Sequence, residues 1–76
     1  MINDEFYNLI DILFQFESNL LISELKKEVN IDDETFEKYI NLLKNNNIIE
    51  LDNDLIIKLY DYYNTLDFVS NIYSID

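Results

Sequence analysis

Seven residue types are missing from this chain of 76 residues: Gly, Pro, Cys, His, Trp, Ala and Arg. Each absence closes a class of chemistry. Without Cys there is no disulfide framework, no thiol nucleophile and no Cys-based zinc site. Without His there is no general base poised near neutrality and no imidazole metal ligand. Without Gly there is no glycine-rich loop to cradle a phosphate. Without Arg there is no bidentate grip on guanine or phosphate. Cations are also scarce: five Lys stand against 16 acids, for a net charge of −11. No apolar run approaches the roughly 20 residues that a membrane span needs.

What is present is an ample supply of core material. Ile, Leu and Asn contribute 12, 11 and 11 residues, and apolar and aromatic types make up 49% and 14% of the chain. That is enough for one small folded domain over residues 1–76 rather than a disordered acidic segment. The bias toward Ile, Asn, Lys, Tyr and Phe is what AT-rich codons encode. The acids Asp4 and Glu5 argue against a signal peptide, so the cytoplasm (of a host cell, for a viral protein) is the expected location. The charge disfavours nucleic acid and anionic membranes and favours basic partners.

Asn3 is a good N-cap, followed by acids where a helix dipole favours them. Phe6, Leu9, Ile10 and Leu13 then fall at helical spacing, with Asp4, Asn8, Asp11, Gln15 and Ser18 as the opposite stripe. Leu20, Leu21 and Ile22 form a short strand-like run. Ser23 or Asn19 is expected to cap a short helix carrying Leu25 and Val29, which Asn30 ends. Ile31 anchors a turn. Asp32 caps a third helix whose inward face is Phe36, Tyr39, Ile40 and Leu43, and Asn45, Asn46 and Asn47 stop it. Ile48 to Leu51 reads as a strand, Asp52-Asn53-Asp54 as a tight turn, and Leu55 to Tyr60 as the return strand. The rival is one long helix from Asp54. β-Branched Ile on both sides of the turn favours the hairpin, with a final helix from about Asp61 holding Tyr62, Leu66, Val69 and Tyr73. Asn30, Asn47 and Asn53 stand where a positive φ is expected, which Asn tolerates better than most residues.

The order helix, short strand, helix, turn, helix, hairpin resembles the winged helix-turn-helix family. Ile22-Ser23-Glu24-Leu25 looks like the start of that family's second helix and Asn30-Ile31-Asp32 like its turn. Thr35, Phe36, Ile40, Leu42 and Leu43 match its recognition helix, and Asn47-Ile48-Ile49 the entry to its wing. The resemblance covers Leu20 to Leu59. It implies a mainly α fold with a small β-hairpin: three core helices, a wing and a C-terminal helix. It also implies DNA reading by the third helix. The residues that would face DNA are Asp33, Glu34, Glu37, Lys38, Asn41 and Lys44, with Thr35 and Tyr39 beside them. Three are acids at the end that usually meets base edges, and the wing offers Glu50, Asp52 and Asp54. Duplex affinity comes mainly from phosphate neutralisation, so direct DNA binding is not expected.

The expectation is therefore a non-catalytic acidic domain that presents Asp33, Glu34, Glu37, Glu50, Asp52 and Asp54 to a basic protein surface, such as an enzyme's nucleic-acid channel. In charge and size it resembles virus- or plasmid-encoded inhibitors such as the anti-CRISPR proteins, and its acidic surface is expected to act as a DNA mimic, its carboxylates standing in for phosphates. Helix capping and a solvated face also account for Asp32 to Glu34. One alternative is a homodimeric transcriptional regulator using Lys26, Lys27, Lys38, Asn41 and Lys44 on DNA. Its dimer interface would be Tyr7, Phe14, Tyr62, Tyr63 and Tyr73. Another is a structural subunit docking through the Tyr-rich C-terminal helix, where Tyr60, Tyr62, Tyr63, Phe68 and Tyr73 gather. No cofactor and no metal are expected. Asp52-Asn53-Asp54 lacks the ligand spacing and Gly of a calcium loop.

Overall fold

The computed structural model describes residues 4–73, with side chains to residue 71. Asn3, expected as a cap, and the side chain of Tyr73 lie outside the described residues. The order is α1 (Asp4–Gln15), β1 (Leu20–Leu21), α2 (Ile22–Glu28), α3 (Asp33–Asn45), β2 (Ile49–Asp52), β3 (Leu55–Lys58) and α4 (Tyr62–Tyr73). The protein is mainly helical, with a small antiparallel sheet in the order β1-β3-β2. The hairpin, and not one long helix from Asp54, is what forms. Ile49 pairs with Lys58 and Asp52 with Leu55, while Leu20 and Leu21 add a third strand opposite Ile56 and Leu55.

The helical spacing in the sequence becomes the core. Phe6, Leu9, Ile10 and Leu13 of α1, Leu25 of α2 and Phe36, Tyr39, Ile40 and Leu43 of α3 are all buried. They join Leu20, Ile48, Ile49 and Ile56 from the sheet region and Val69 of α4 in one cluster. Phe6 and Tyr39 stack with ring centroids 4.7 Å apart, and the Tyr39 hydroxyl donates to Glu5 Oε1 at 3.1 Å. Tyr39 therefore ties α3 to α1 and does not stand beside an outward-reading face.

Helix ends are where Gly would normally be used, and Asn replaces it. Asn47 has φ 59°. Its N–H bonds the Lys44 carbonyl at 3.0 Å, and the next N–H, of Ile48, bonds the Leu43 carbonyl at 2.9 Å. These are the two bonds of a Schellman motif, completed by the apolar pair Leu43 and Ile48. Asn53 has φ 55° at the first of two loop residues, the sign pattern of a type II′ hairpin turn, whose backbone twist suits the strands. Asn30 is different: the third expected left-handed Asn does not have a positive φ. The chain leaves α2 in an extended conformation at Val29, φ −97° and ψ 143°, so no left-handed residue is needed.

The start of α2 also differs from expectation. Neither Ser23 nor Asn19 caps it. Leu21 occupies the cap position, and Glu24 reaches back to accept its N–H at 2.9 Å, the acidic half of a capping box. Asn19 instead accepts the backbone N–H of Lys58 at 3.4 Å.

At α4, Asp61 is the cap, accepting the Asn64 N–H at 2.8 Å. One turn on, Thr65 is wholly buried and its hydroxyl finds no partner among the described residues. A buried unpaired hydroxyl is a net cost. Thr65→Val, which keeps the shape and removes the group, is expected to raise stability by about 1 kcal/mol. A higher urea midpoint checks it, and a lower one would show that the hydroxyl is satisfied.

Candidate functional site

α3 carries the candidate surface, and Asp32 sets where it begins. The Asp32 carboxylate accepts the Thr35 hydroxyl at 2.7 Å and the Thr35 N–H at 3.1 Å. Those bonds, the hydroxyl first, hold it below the ordinary carboxylate value. Its folded-state proton affinity is depressed, so its stabilising contribution is complete above pH 3.8 and is lost as pH falls through the lowered value. Asp32→Ala is thus expected to lower the urea midpoint at neutral pH. The gap from wild type should close in acid, below that window. A gap that persists there would assign the effect to something other than the cap.

Glu34, Glu37, Lys38, Asn41 and Lys44 follow on the exposed side of the helix. Their three- and four-residue spacings keep them on one face. Charge along this face is graded: the acids lie toward the N-terminus, Lys38 stands mid-helix beside Glu37, and Lys44 is in the last turn. Asp33 is not free, because Lys26 of α2 forms an ion pair with it. The Lys26 ammonium also lies 5.5 Å from the Phe36 ring centroid. One residue of the acidic set and one of the cationic set thus satisfy each other.

The hairpin divides its acids. Along a strand, side chains alternate between faces. Ile49 is buried and Leu51 half-buried, while Glu50 and Asp52 are exposed on the alternate positions. They therefore point away from the face of the sheet that meets α3. Asp54 is exposed in the turn, and its carbonyl accepts the Ile22 N–H at 2.8 Å, which places the turn beside the start of α2.

Ile22 and Leu51 then meet α3 across an open groove of about 470 Å³, lined by Ile22, Lys26, Asp33, Phe36, Glu37, Ile40, Asn41 and Leu51. Of the expected acidic set, Asp33 and Glu37 border this groove. Glu34 lies on the outer side of α3 with Glu37, Lys38 and Asn41. Of the expected cationic set, Lys27, Lys38 and Lys44 are exposed and spread over two helices. The groove was missed in the sequence. Ile22 and Leu51 are 29 positions apart, and no local spacing links them.

The aromatic candidates have internal uses. The Phe14 and Tyr62 rings meet edge-on at 5.7 Å. The Tyr62 hydroxyl donates to Asp11, and that bond raises the phenol above its ordinary value of 10.0. Tyr7 and Ser70 hydroxyls are 3.4 Å apart. α4 thus packs on α1 through Tyr7, Phe14 and Tyr62. Tyr63 remains 79% exposed.

Lys58 was also missed in the sequence. It is half-buried on β3, and its ammonium donates to the Leu13 carbonyl at 3.1 Å and to the Phe16 carbonyl. It sits 5.3 Å from the Phe14 ring centroid. Burial pulls its pKa below the ordinary lysine value. α1 has no basic residue in its own last turn, so a strand far along the chain supplies the cation that a helix C-terminus favours.

Among the described residues, no group of three or more acids could hold a metal ion. No described helix is long and apolar enough to cross a membrane. No protein-family model, no curated protein and no solved structure matches the chain.

Proposed function

We propose that the chain is an acidic winged-helix domain that binds a protein with a basic surface and does not bind DNA directly. The order of helices and strands and the β1-β3-β2 sheet support the winged-helix reading. The observation that carries the function is the character of the N-terminal half of α3. There Asp33, Glu34 and Glu37 outnumber Lys38, and Lys26, the cation that faces this end from α2, is held by Asp33. With a net charge of −11, this half of the helix repels phosphate and attracts Lys or Arg. The nucleic-acid channel of an enzyme is one surface of that kind, and occupying it would make the protein an inhibitor. The same features disfavour the regulator, whose DNA contacts would need Lys26, Lys27, Lys38, Asn41 and Lys44 to act together. Catalysis forms no part of this reading. A gel shift with random-sequence duplex at low salt tests it. The expected result is no shifted band at any protein concentration, with an arginine-rich peptide bound under the same conditions. A salt-sensitive duplex complex would overturn it in favour of the regulator.

A further inference from the structure

The groove between α2, α3 and β2 has an apolar floor of Ile22, Phe36, Ile40 and Leu51 beneath a polar rim. Phe36 and Ile40 are buried core residues that reach its surface from below, while Ile22 and Leu51 are half-buried. The rim holds Asp33, Glu37 and Asn41 on the α3 side and Lys26 on the α2 side. A volume of about 470 Å³ falls within the range of sites that enclose small organic groups. An open cleft of that size takes one or two apolar side chains and leaves their backbone at the rim.

We propose that this groove docks a short basic segment of a partner protein. A Leu-like side chain would sit on the Ile22, Phe36, Ile40 and Leu51 floor, with Lys or Arg on either side meeting Glu37 and Asp33. The proposal rests on the reading of the α3 acids as a partner surface and adds what the partner must present there. Charge complementarity selects the occupant. Glu37 and Asp33 stand on the rim, Glu34 is on the same half of α3, and Asp54 lies beside Ile22. A second copy of the chain would bring another −11 against the same acids, and an anionic lipid surface would be repelled likewise.

Lys26 gives the proposal a signature. Its ammonium holds Asp33 and lies against the Phe36 ring, so its stem covers part of the floor that the ligand needs. The ligand's cation takes over Asp33, and Lys26 moves aside. Removing Lys26 therefore strengthens binding, whereas a DNA-binding role would make its removal weaken binding. Lys27, adjacent, exposed and outside the groove lining, is the control for the change in net charge.

The test is fluorescence anisotropy with a labelled, capped peptide Lys-Arg-Leu-Leu-Arg-Lys and its counterpart Lys-Arg-Ser-Ser-Arg-Lys. The Leu peptide is expected to bind wild type about tenfold or more tightly than the Ser peptide, a difference of about 1.4 kcal/mol per tenfold. Leu51→Gln, and separately Ile22→Gln, should erase that preference while the circular dichroism spectrum stays unchanged. Lys26→Ala should tighten the Leu peptide several-fold, and Lys27→Ala should leave it near wild type. Equal binding of the two peptides, or a preference that survives both floor variants, overturns the groove while the acidic-face reading stands. That reading itself falls if neither peptide binds, or if Glu34→Lys with Glu37→Lys leaves both affinities unchanged.

Discussion

Leu43→Ala is expected to unfold most of the protein at room temperature. Leu43 is wholly buried, lies at the end of α3 and joins the core cluster between that helix and the sheet. Truncating a buried Leu removes its transfer free energy and leaves a cavity, which together cost about 2–5 kcal/mol. A chain of this length has a margin of only a few kcal/mol, so the loss is comparable to the whole. The position is doubly sensitive. The Leu43 side chain also supplies the apolar contact to Ile48 that seals the Schellman end of α3, where the Leu43 carbonyl accepts the Ile48 N–H. Urea titration followed by circular dichroism reads the effect, with Tyr63→Ala as the comparison. Tyr63 is 79% exposed, and its loss should move stability by no more than about 0.5 kcal/mol. A Leu43→Ala protein with a wild-type midpoint would remove Leu43 from the packed core.

The second large effect is on binding. Glu34→Lys combined with Glu37→Lys is expected to weaken a basic ligand by roughly 10- to 100-fold, or about 1.4–2.8 kcal/mol. Any protein this acidic binds cations to some degree, so the informative comparison holds net charge constant. Glu17→Lys with Asp67→Lys makes the same change at exposed positions in the loop after α1 and on α4. At physiological ionic strength the Debye length is about 8 Å, which screens those remote sites from a ligand seated on α3. The remote pair should therefore lose little, chiefly in association rate. If both double variants weaken the arginine-rich peptide equally, the attraction is the overall charge of the chain, and α3 has no privileged face.

The fold was largely written in local spacing. α1 and α3 could be placed because their apolar residues recur at intervals of three and four. α3 could be bounded because Asp32 offers an acceptor to Thr35 and Asn47 tolerates a left-handed backbone. The hairpin prevailed over a continuous helix for a reason visible in advance: β-branched Ile flanks an Asn able to take a positive φ. What could not be read were the partners of long side chains. Lys26 with Asp33, Lys58 with Leu13 and Phe16, and Tyr62 with Asp11 join different elements, and nothing in local periodicity marks them. The acidic surface was overdrawn for the same reason. Lys26 neutralises Asp33, and strand alternation turns Glu50 and Asp52 away from α3. Asn30 departs from Asn47 and Asn53, since a helix that exits in extended form at Val29 makes no demand on it.

Lys58 has a consequence for chemical reactivity. An amine acylates only when it is both neutral and reachable. Lys58 is half-buried and its ammonium is held by carbonyls at the end of α1, whereas Lys27, Lys38 and Lys44 stand in solvent. Under a lysine-acylating reagent those three should modify first. Lys58 should lag until the end of α1 opens enough to release its ammonium from the Leu13 and Phe16 carbonyls. Its labelling rate then becomes a clock for that opening, readable by mass spectrometry in native buffer. The clock should run faster in Leu13→Ala, which loosens the same junction, and keep its pace in Tyr63→Ala.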